Sequence, residues 1–267
     1  MNIVDFSKEE FQNQQIEASH LEEILKDFRR DGYVIFKDIF SKDYINELNA
    51  DFIDKYGHLF SEEYKKNVFR VGHRRIQVSV ELKKSFNTPY LYANPFILPV
   101  LEGIFNTEFI ISDLTCVTSL PGAKYMPLHR DGAIFKGVAL APLLPAYAVG
   151  LLIPLIPFTK LNGPTRYWPG SHRSPLHSGA FEGNPNFIEP EIETGSCILM
   201  DYRIVHCGNP NQSDEKRPLL YCNYSLPWYF DSSNFRFDPH LIVDDNNYSD
   251  IPEEYKSLFQ RRNMKLQ

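Results

Sequence analysis

The pattern of apolar and polar residues near the start of the chain is typical of two amphipathic helices separated by a short strand. Apolar residues recur three and four positions apart between Leu21 and Phe28, which predicts a helix from Ala18 to Arg29. An Asp-Gly pair follows, and the β-forming run from Tyr33 to Phe36 predicts a strand. A second helix is predicted from Lys42 to Tyr56, with Ser41 as its N-cap.

Beyond residue 69 the pattern changes to short β-prone runs separated by turn residues. A further helix is predicted from Pro95 to Phe105. Many short strands after a helical start favour a double-sheet jelly roll with helices packed on one side, rather than alternating βαβ units. The predicted strands are Ile76 to Val80, Phe109 to Leu114, Val149 to Ile156, Cys197 to Val205 and Leu219 to Leu226.

The length of 267 residues suits one closed β architecture. We find no internal repeat, linker or low-complexity tract. We therefore expect a single domain over residues 1–267, with a helical preamble at 1–60, a jelly-roll core at about 70–230 and a C-terminal tail.

Composition and charge exclude several classes of partner. A net charge of −6 without clustered Lys or Arg argues against nucleic acid, so a small molecule is the expected partner. The long uncharged stretch from Gly137 to Phe158 is interrupted by four prolines, which predicts a loop and a buried strand rather than a membrane span. The acidic N-terminus does not resemble a secretion signal, and we expect a cytoplasmic protein. The sequence predicts no particular oligomeric state.

The four cysteines show no C-x-x-C spacing, and a chain of this size does not need disulfides. We expect them to be reduced and without a catalytic role. They are Cys116, Cys197, Cys207 and Cys222.

The triplet His129-Arg130-Asp131 has the letters of a protein-kinase catalytic loop, but the rest of such a site is missing. A kinase needs Asn five positions after the Asp to hold magnesium, and Lys136 stands there instead. What remains is His-x-Asp, whose two side chains point the same way on an extended segment while Arg130 points away. A second histidine would complete the two-histidine, one-carboxylate site of non-haem Fe(II) oxygenases.

His206 is the strongest candidate for that third ligand. It ends a β-prone run and is followed by the loop GNPNQSDEK, so it would be held rigidly and remain accessible. Four other histidines lie beside the helical preamble or in turn-rich stretches and are interpreted as surface or turn residues; they are His20, His58, His172 and His177.

Arg217 begins the β-run after that loop. An antiparallel return should bring Arg217 near the level of His206, whether the two strands pair or face one another across a sandwich. A guanidinium binds a carboxylate with two parallel hydrogen bonds, so an acid cosubstrate that chelates the metal would fit. A zinc hydrolase with the same three ligands would lack a general base and leave Arg217 unused, and a non-catalytic jelly-roll binding protein would keep the fold without turnover.

Four motifs follow one another along the chain: FRRDGYVIFKDIFS, LHRDG, NGPTRYWPGSHR and GSCILMDYRIVHCGNPNQSDEKRP. Together they make the sequence similar to the phytanoyl-CoA dioxygenase family of Fe(II)- and 2-oxoglutarate-dependent oxygenases. The resemblance extends from about Phe28 to Trp228. It implies a mainly β fold with α: a cupin-like double-stranded β-helix, or jelly roll, with N-terminal and flanking helices.

The resemblance also implies roles for individual residues. His129, Asp131 and His206 would ligate Fe(II). Arg217 would pair with the far carboxylate of 2-oxoglutarate, and Phe135 would lie beside this cosubstrate. O₂ is the second cosubstrate, and ascorbate is expected to support activity.

Hydroxylation of an unactivated C–H bond of a small molecule, in natural-product biosynthesis, is the expected reaction, with release of succinate and CO₂. The alternative is α-hydroxylation of an acyl-CoA or lipid. Asp131 favours hydroxylation or desaturation over halogenation, in which a small residue replaces the carboxylate. Arg74, Arg75 and Gln77 begin the β-prone run HRRIQVSV, which either contacts substrate or forms a charged edge strand; Arg74, Gln77 and Trp228 are the expected substrate contacts. Gly208 departs from the family pattern, because relatives often carry a hydroxyl residue two positions after the last histidine.

Overall fold

Two β-sheets form the centre of the computed structural model, which describes residues 1–61, 69–132, 143–231 and 239–264. Ten strands are formed in these residues: β1 Ile3–Val4, β2 Tyr33–Phe36, β3 Phe69–Arg70, β4 Arg75–Ser79, β5 Ile110–Ser119, β6 Ala148–Pro154, β7 Thr165–Trp168, β8 Cys197–Asp201, β9 Val205–Gly208 and β10 Arg217–Ser225. The same residues form six α-helices: α1 Lys8–Asn13, α2 Ala18–Asp31, α3 Lys42–Tyr56, α4 Pro89–Tyr92, α5 Leu98–Phe105 and α6 Asp245–Ser249.

The large sheet has the strand order β1-β2-β8-β6-β10-β5-β4-β3, and the small sheet pairs β7 with β9. Only the β1–β2 pair is parallel among these described strands. Single antiparallel bridges widen the small sheet on both sides, from His129 to His206 and from Ile188 to Tyr167. This arrangement of two mainly antiparallel sheets confirms the predicted jelly-roll core.

Alternation along the strands separates two hydrophobic layers. On β10, Leu220 and Cys222 join the larger cluster, which also includes apolar residues of α2, α3 and α5. Leu219 points the other way and packs with Tyr167 of the small sheet. Both faces of the large sheet are therefore buried, which is why its strands read as nearly continuous hydrophobic runs.

The predicted helices are confirmed, with two changes of boundary, one of which extends α2 from the predicted Arg29 to Asp31. Helix α3 has the predicted bounds, and the Ser41 hydroxyl accepts a hydrogen bond of 3.2 Å from the backbone N–H of Tyr44. Helix α5 begins at Leu98 rather than at Pro95. The Asn94 side chain accepts from the backbone N–H of Phe96 at 3.0 Å, and this local bond holds the preceding residues in turns.

Strand β5 begins one residue later than predicted, at Ile110, and continues five residues beyond Leu114 to Ser119. The added segment is TCVTS, whose polar residues weaken the hydrophobic signal. Thr115 and Val117 from this segment line the cavity between the sheets. The missed part of the strand is therefore the part that faces the site.

The prediction of one strand from Cys197 to Val205 is wrong. The chain forms β8 and β9 in different sheets, with a turn between them. The Asp201 carboxylate stabilises this turn by accepting hydrogen bonds from the backbone N–H of Arg203 at 2.8 Å and from its guanidinium at 2.6 and 2.8 Å. His206 consequently lies inside a strand of the small sheet rather than at the end of a strand of the large one.

The segment NGPTRYWPGSHR, for which no strand was predicted, contains β7, which pairs with β9. Its four strand residues are flanked by Gly and Pro on both sides, and these turn residues concealed the strand.

None of the helices in the described residues is long and apolar enough to cross a membrane. The uncharged stretch from Gly137 to Phe158 contains β6, all of whose residues are buried. The predicted buried strand is thus confirmed, whereas residues 137–142 lie outside the described part of the chain.

Candidate metal centre and active-site cavity

Three side chains that can bind a metal ion converge at the small sheet. His129 and His206 are paired across an antiparallel bridge, in which each backbone N–H donates to the other residue's carbonyl oxygen at 3.0 Å. The bridge brings the centroids of the two imidazole rings to 4.3 Å. Asp131 follows two residues after His129 on the same side of the segment, as the His-x-Asp spacing predicts.

The distances between the donor atoms fit one ion. Asp131 Oδ1 lies 3.8 Å from His129 Nε2, and Asp131 Oδ2 lies 3.6 Å from His206 Nε2. One donor atom from each residue lies within 4.8 Å of the other two. Nitrogen and oxygen ligands bind first-row divalent ions at about 2.0–2.2 Å, so an ion between these atoms can reach all three. Two imidazoles and one carboxylate are the donor set typical of non-haem Fe(II).

Hydrogen bonds to backbone carbonyls fix both imidazoles with Nε2 free to bind. His129 Nδ1 donates to the Pro127 carbonyl at 2.8 Å, and His206 Nδ1 donates to the Ile204 carbonyl at 3.0 Å. Burial, together with the neighbouring His129 and against the opposing effect of Asp131, lowers the pKa of His206 to about 4. The His206 imidazole is therefore neutral at physiological pH and available to a metal ion.

Arg130 points away from the three donors, as predicted. Its Nε donates to the Arg203 carbonyl at 2.7 Å, and its two terminal nitrogens donate to the carbonyls of Leu176 and Ser171 at 2.9 and 3.0 Å. Arg130 thereby ties the His-x-Asp segment to the turn between β8 and β9, which leads into His206.

A cavity of about 420 Å³ lies between the two sheets. The three metal-binding side chains line it from the small sheet. The opposite wall belongs to the large sheet and consists of residues on β4, β5 and β10: Arg75, Gln77, Thr115, Val117, Arg217, Tyr221 and Asn223.

Arg217, the first residue of β10, brings a buried positive charge into this cavity. It is only 2% exposed, and its guanidinium lies over the Phe158 ring at 4.6 Å. Its Nε and Nη1 atoms have no hydrogen-bond partner within the part of the chain that the structure describes. Burial lowers the pKa of Arg217, which shows how poorly the free cation is solvated there. Arg217 lies in the sheet that faces His206 rather than in a strand paired with it.

Arg75, and not Arg74, faces the cavity, which corrects the choice of Arg74 as a substrate contact. Arg74 lies exposed in the turn before β4 with φ of 55°, whereas Arg75 is the first residue of β4 and is 1% exposed. Side chains alternate along a strand, so Gln77 shares its face with Arg75. This period of two was the overlooked signal, since it pairs Arg75 rather than Arg74 with Gln77.

Gly208 leaves room for the Arg75 side chain. A Cβ atom at Gly208 would lie 3.1 Å from Arg75 Nε and 3.0 Å from Met126 Sδ. Thr165 lies opposite Gly208 on β7 and also lines the cavity. The departure from the family pattern at Gly208 thus coincides with a second buried arginine and a neighbouring hydroxyl.

Two further predicted residues are not brought to the cavity by the described structure. Trp228 is 61% exposed, does not line the cavity, and contacts Tyr147 at a centroid distance of 6.1 Å. Phe135 lies outside the described residues. Asn223 and Tyr221, which do line the cavity, were not selected because they lie inside a run interpreted only as a buried strand.

Cys207 and His172 both make packing or backbone contacts, and His172, interpreted as a surface or turn residue, is buried. Cys207 packs with Trp168 and Val205 on the face of β9 opposite to His206. His172 forms a hydrogen bond from Nε2 to the Arg29 carbonyl at 3.1 Å, and burial lowers its pKa.

Comparison with known proteins relates this site to one family. The family model described as phytanoyl-CoA dioxygenase matches residues 28–219. Dioxygenase af480 of Aspergillus fumigatus is 31% identical over 139 residues, which are 51% of this chain and 44% of that protein. The iron/alpha-ketoglutarate-dependent dioxygenase ausO of Aspergillus calidoustus is 28% identical over 206 residues, 71% of this chain and 67% of that protein.

A solved structure supports the fold. HygX of Streptomyces hygroscopicus, crystallised with nickel and 2-oxoglutarate, aligns with a TM-score of 0.62 at 13% identity and covers 78% of this chain and 88% of its own. At this identity the likeness concerns the fold alone. The family match spans most of the chain and includes all three metal-binding residues as well as Arg217. The chain therefore belongs to the phytanoyl-CoA dioxygenase family, and it is an iron- and 2-oxoglutarate-dependent dioxygenase.

Proposed function

We propose that this protein hydroxylates an unactivated C–H bond of a small molecule in natural-product biosynthesis, converting 2-oxoglutarate to succinate and CO₂. One observation carries the proposal: the buried, unpartnered nitrogens of Arg217 and the three metal-binding side chains line the same cavity. A metal centre alone would not need this cation, whereas a dicarboxylate cosubstrate uses both.

The small sheet holds the metal ion in this proposal. His129, Asp131 and His206 would hold the ion, and this set of three ligands would leave room on it for a bidentate cosubstrate and O₂. When bound, iron and 2-oxoglutarate supply the oxidative chemistry, and the protein supplies placement and shielding. Asp131 occupies the position that a halide would need, which favours hydroxylation.

The large sheet orients the cosubstrate. Arg217 donates two hydrogen bonds to the far carboxylate of 2-oxoglutarate, in a buried site where charge-assisted bonds are strong. Arg75 adds a second positive charge: burial and the neighbouring Arg217 lower its pKa to about 10, so it remains protonated at neutral pH. Thr165 supplies the hydroxyl that Gly208 lacks.

The size of the cavity and the known ligands of related folds favour a small natural product as substrate. A volume of about 420 Å³ lies at the lower end of the range for small-molecule sites, and the cosubstrate occupies part of it. HygX was solved with hygromycin B bound, and the epimerase SnoN is from nogalamycin biosynthesis. The ligand of the first and the setting of the second support the proposal of a small natural product as substrate.

Succinate formation tests the proposal. Protein reconstituted with Fe(II), ascorbate and 2-oxoglutarate should release succinate slowly by itself, and faster with a hydroxylatable small molecule. A panel of natural-product scaffolds is compared with straight-chain acyl-CoA thioesters at equal concentration. Stimulation by the scaffolds but not by the thioesters is the expected result. Stimulation by the thioesters alone would support acyl-CoA α-hydroxylation instead, and the absence of iron-dependent succinate from every mixture would contradict both.

A further inference from the structure

We propose that the substrate is bound through a hydrogen-bond-donating group, a hydroxyl or an ammonium, which is accepted by Asn223 with Asp231 beside it. This inference rests on the proposed function, because it assigns the part of the same cavity that the cosubstrate leaves free. We call this part, lined by Asn223 and Asp231 and supported by Asp113 behind Asn223, the acceptor end.

The two ends of the cavity lie along one strand. Arg217, Tyr221 and Asn223 are separated by even numbers of residues on β10, so their side chains share the face that lines the cavity. Six residues of strand span about 20 Å, which places Asn223 well beyond the reach of a cosubstrate held by Arg217. A substrate that approaches the metal from the other side meets Asn223.

The amide nitrogen of the Asn223 side chain has a hydrogen-bond partner, whereas the amide oxygen has none among the described residues. The residue is 5% exposed, and its Nδ2 donates to Asp113 Oδ1 at 2.7 Å. Its Oδ1 has no hydrogen-bond partner among the described residues. Buried carbonyl oxygens are rarely left without a donor, so this atom is a candidate for pairing with a ligand. Gly150 makes room for the Asn223 side chain, because a Cβ there would lie 2.9 Å from Asn223 Oδ1.

Asp113 fixes which way the Asn223 amide faces. A carboxylate only accepts hydrogen bonds, so the amide NH₂ must face it and the amide oxygen must point elsewhere. Asp113 is buried and also accepts from the hydroxyls of Ser112 at 3.0 Å and Thr115 at 3.4 Å. These bonds hold the carboxylate in place, and the Asn223 oxygen is therefore presented as an acceptor.

Charge separates the two ends of the cavity. Arg75 and Arg217 make one end suitable for carboxylates, whereas Asp231 lines the cavity together with Asn223 and makes the other end suitable for donors. A carboxylate or a phosphate on the substrate would be repelled by Asp231 and would find no donor in the Asn223 oxygen. A hydroxyl would satisfy that oxygen, and an ammonium would in addition be attracted by the charge of Asp231.

Three probes with one rigid hydrocarbon cage test this preference: adamantan-1-ol, 1-aminoadamantane and adamantane-1-carboxylate. Each is titrated calorimetrically, without O₂, into the full-length protein loaded with Fe(II) and 2-oxoglutarate. The titrations are run at pH 8, because burial raises the pKa of Asp113 to about 7. The alcohol and the amine should bind at least about tenfold more tightly than the carboxylate, the factor expected for one good hydrogen bond. Equal binding of all three, tighter binding of the carboxylate, or no binding of any probe would overturn the inference.

Variants locate the preference. Asn223→Leu should lower the affinity for the alcohol and the amine by about tenfold and leave that for the carboxylate nearly unchanged. Cys222→Ala is the matched control, since Cys222 lies on the same strand but faces the other hydrophobic layer, and it should preserve the ranking. An unchanged ranking in Asn223→Leu would overturn the inference.

A second variant guards against misfolding of the first. Asp113→Asn/Asn223→Asp keeps the pair in reversed order and places the carboxylate towards the cavity, so affinity for the amine should rise relative to the alcohol. An unchanged amine-to-alcohol ratio would also count against the inference. The visible absorption band of the ferrous 2-oxoglutarate complex separates the two levels: without it in the unmodified protein the proposed function fails, and with it but without the ranking only the acceptor end fails.

Discussion

The two walls of the cavity are built differently. The metal-binding wall consists of the four-residue strand β9, which pairs with β7, and the segment from Met126 to Asp131, which is joined to β9 and to the turn before it by backbone hydrogen bonds. The opposite wall is centred on the nine-residue strand β10, which is hydrogen-bonded to β5 on one side and β6 on the other. Arg217 and Asn223 thus lie on the wall with the longer ladder of backbone hydrogen bonds, and the candidate metal ligands lie on the wall with the shorter one.

This difference teaches where binding energy and stability are coupled. A metal ion would cross-link two short segments, so metal loading should stabilise the small sheet. Arg217 has the opposite relation to stability, because a buried cation with two nitrogens unpaired among the described residues is unfavourable until its ligand arrives. Changes on the two walls should therefore separate chemistry from folding.

Loss of His206 should have the largest effect. His206→Ala removes one of three ligands and should lower iron-dependent succinate formation by at least about a thousandfold, well above the 10- to 100-fold effect of changing a residue that only supports a ligand. Iron content measured after dialysis should fall with it. His172→Gln is the control and should retain both iron and activity, since the His172 side chain hydrogen-bonds a backbone carbonyl. Retention of iron by His206→Ala would show that His206 is not a metal ligand.

Replacement of Arg217 should separate binding from stability. Arg217→Met should raise the KM for 2-oxoglutarate by about 100-fold or more, because a buried hydrogen-bonded charge pair loses about 2–5 kcal/mol when one partner is truncated. Without cosubstrate, the free energy of unfolding of Arg217→Met in urea should equal that of the unmodified protein or exceed it by up to about 1 kcal/mol. Arg217→Lys should recover part of the affinity only, since an ammonium lacks the planar fork. An unchanged KM in Arg217→Met would place the cosubstrate elsewhere.

The two neighbouring arginines before and on β4 provide a sharper comparison. Arg75→Met leaves the carbonyls of Lys124 and Asn209 without their guanidinium donors and should lower the free energy of unfolding by about 1–3 kcal/mol. It should also raise the KM for 2-oxoglutarate. Arg74→Met changes an exposed turn residue and should shift stability by less than about 0.5 kcal/mol without altering the KM. Equal effects of both variants would contradict the placement of Arg75 in the cavity wall.

Glu10, outside the cavity, should give the smallest effect on activity. Its carboxylate accepts from the backbone N–H groups of Ser7 at 2.8 Å and Glu17 at 3.1 Å, and it pairs with His20 at 2.8 Å. Although burial opposes this, the hydrogen bonds lower the pKa of Glu10 from 4.5 to about 2. Glu10→Gln should cost about 1–2 kcal/mol of stability at neutral pH without changing succinate formation.

The pH dependence of this contribution follows from the direction of the shift. A lowered carboxyl pKa stabilises the fold above the unfolded value of 4.5, and the contribution is lost as pH falls towards 2. The stability difference between the unmodified protein and Glu10→Gln, measured by urea unfolding, should therefore shrink over this range. A constant difference from pH 6 to pH 3 would show that the carboxylate charge is not involved.

The sequence predicts the large sheet and its helices well because their signals are local and repeated. Helix α3 shows a clear apolar spacing and a capping serine, and β6 and β10 are long hydrophobic runs. The small sheet was largely missed, since β7 and β9 are four residues long and are stabilised by pairing with each other rather than by their own composition. The turn that separates β8 from β9 depends on the hydrogen bonds between Asp201 and Arg203. Such polar contacts cannot be predicted from the spacing of hydrophobic residues.

For the site, residues with a chemical motif were found and residues defined by placement were not. The His-x-Asp spacing identifies His129 and Asp131 in the sequence, and the structure brings them together with His206 and Arg217 in one cavity. Asn223 is a single polar residue in an apolar run, and only the ladder that aligns it with Asp113 and Gly150 shows its surroundings.

Anaerobic titration of the protein with Fe(II) and then with 2-oxoglutarate tests the assignment of the metal centre and the cosubstrate end most directly. One Fe(II) per chain should bind, and 2-oxoglutarate should then produce a visible absorption band that is absent in His206→Ala and requires about 100-fold more 2-oxoglutarate in Arg217→Met. A protein that binds no Fe(II), or that binds it and gives no band with 2-oxoglutarate, would contradict this assignment.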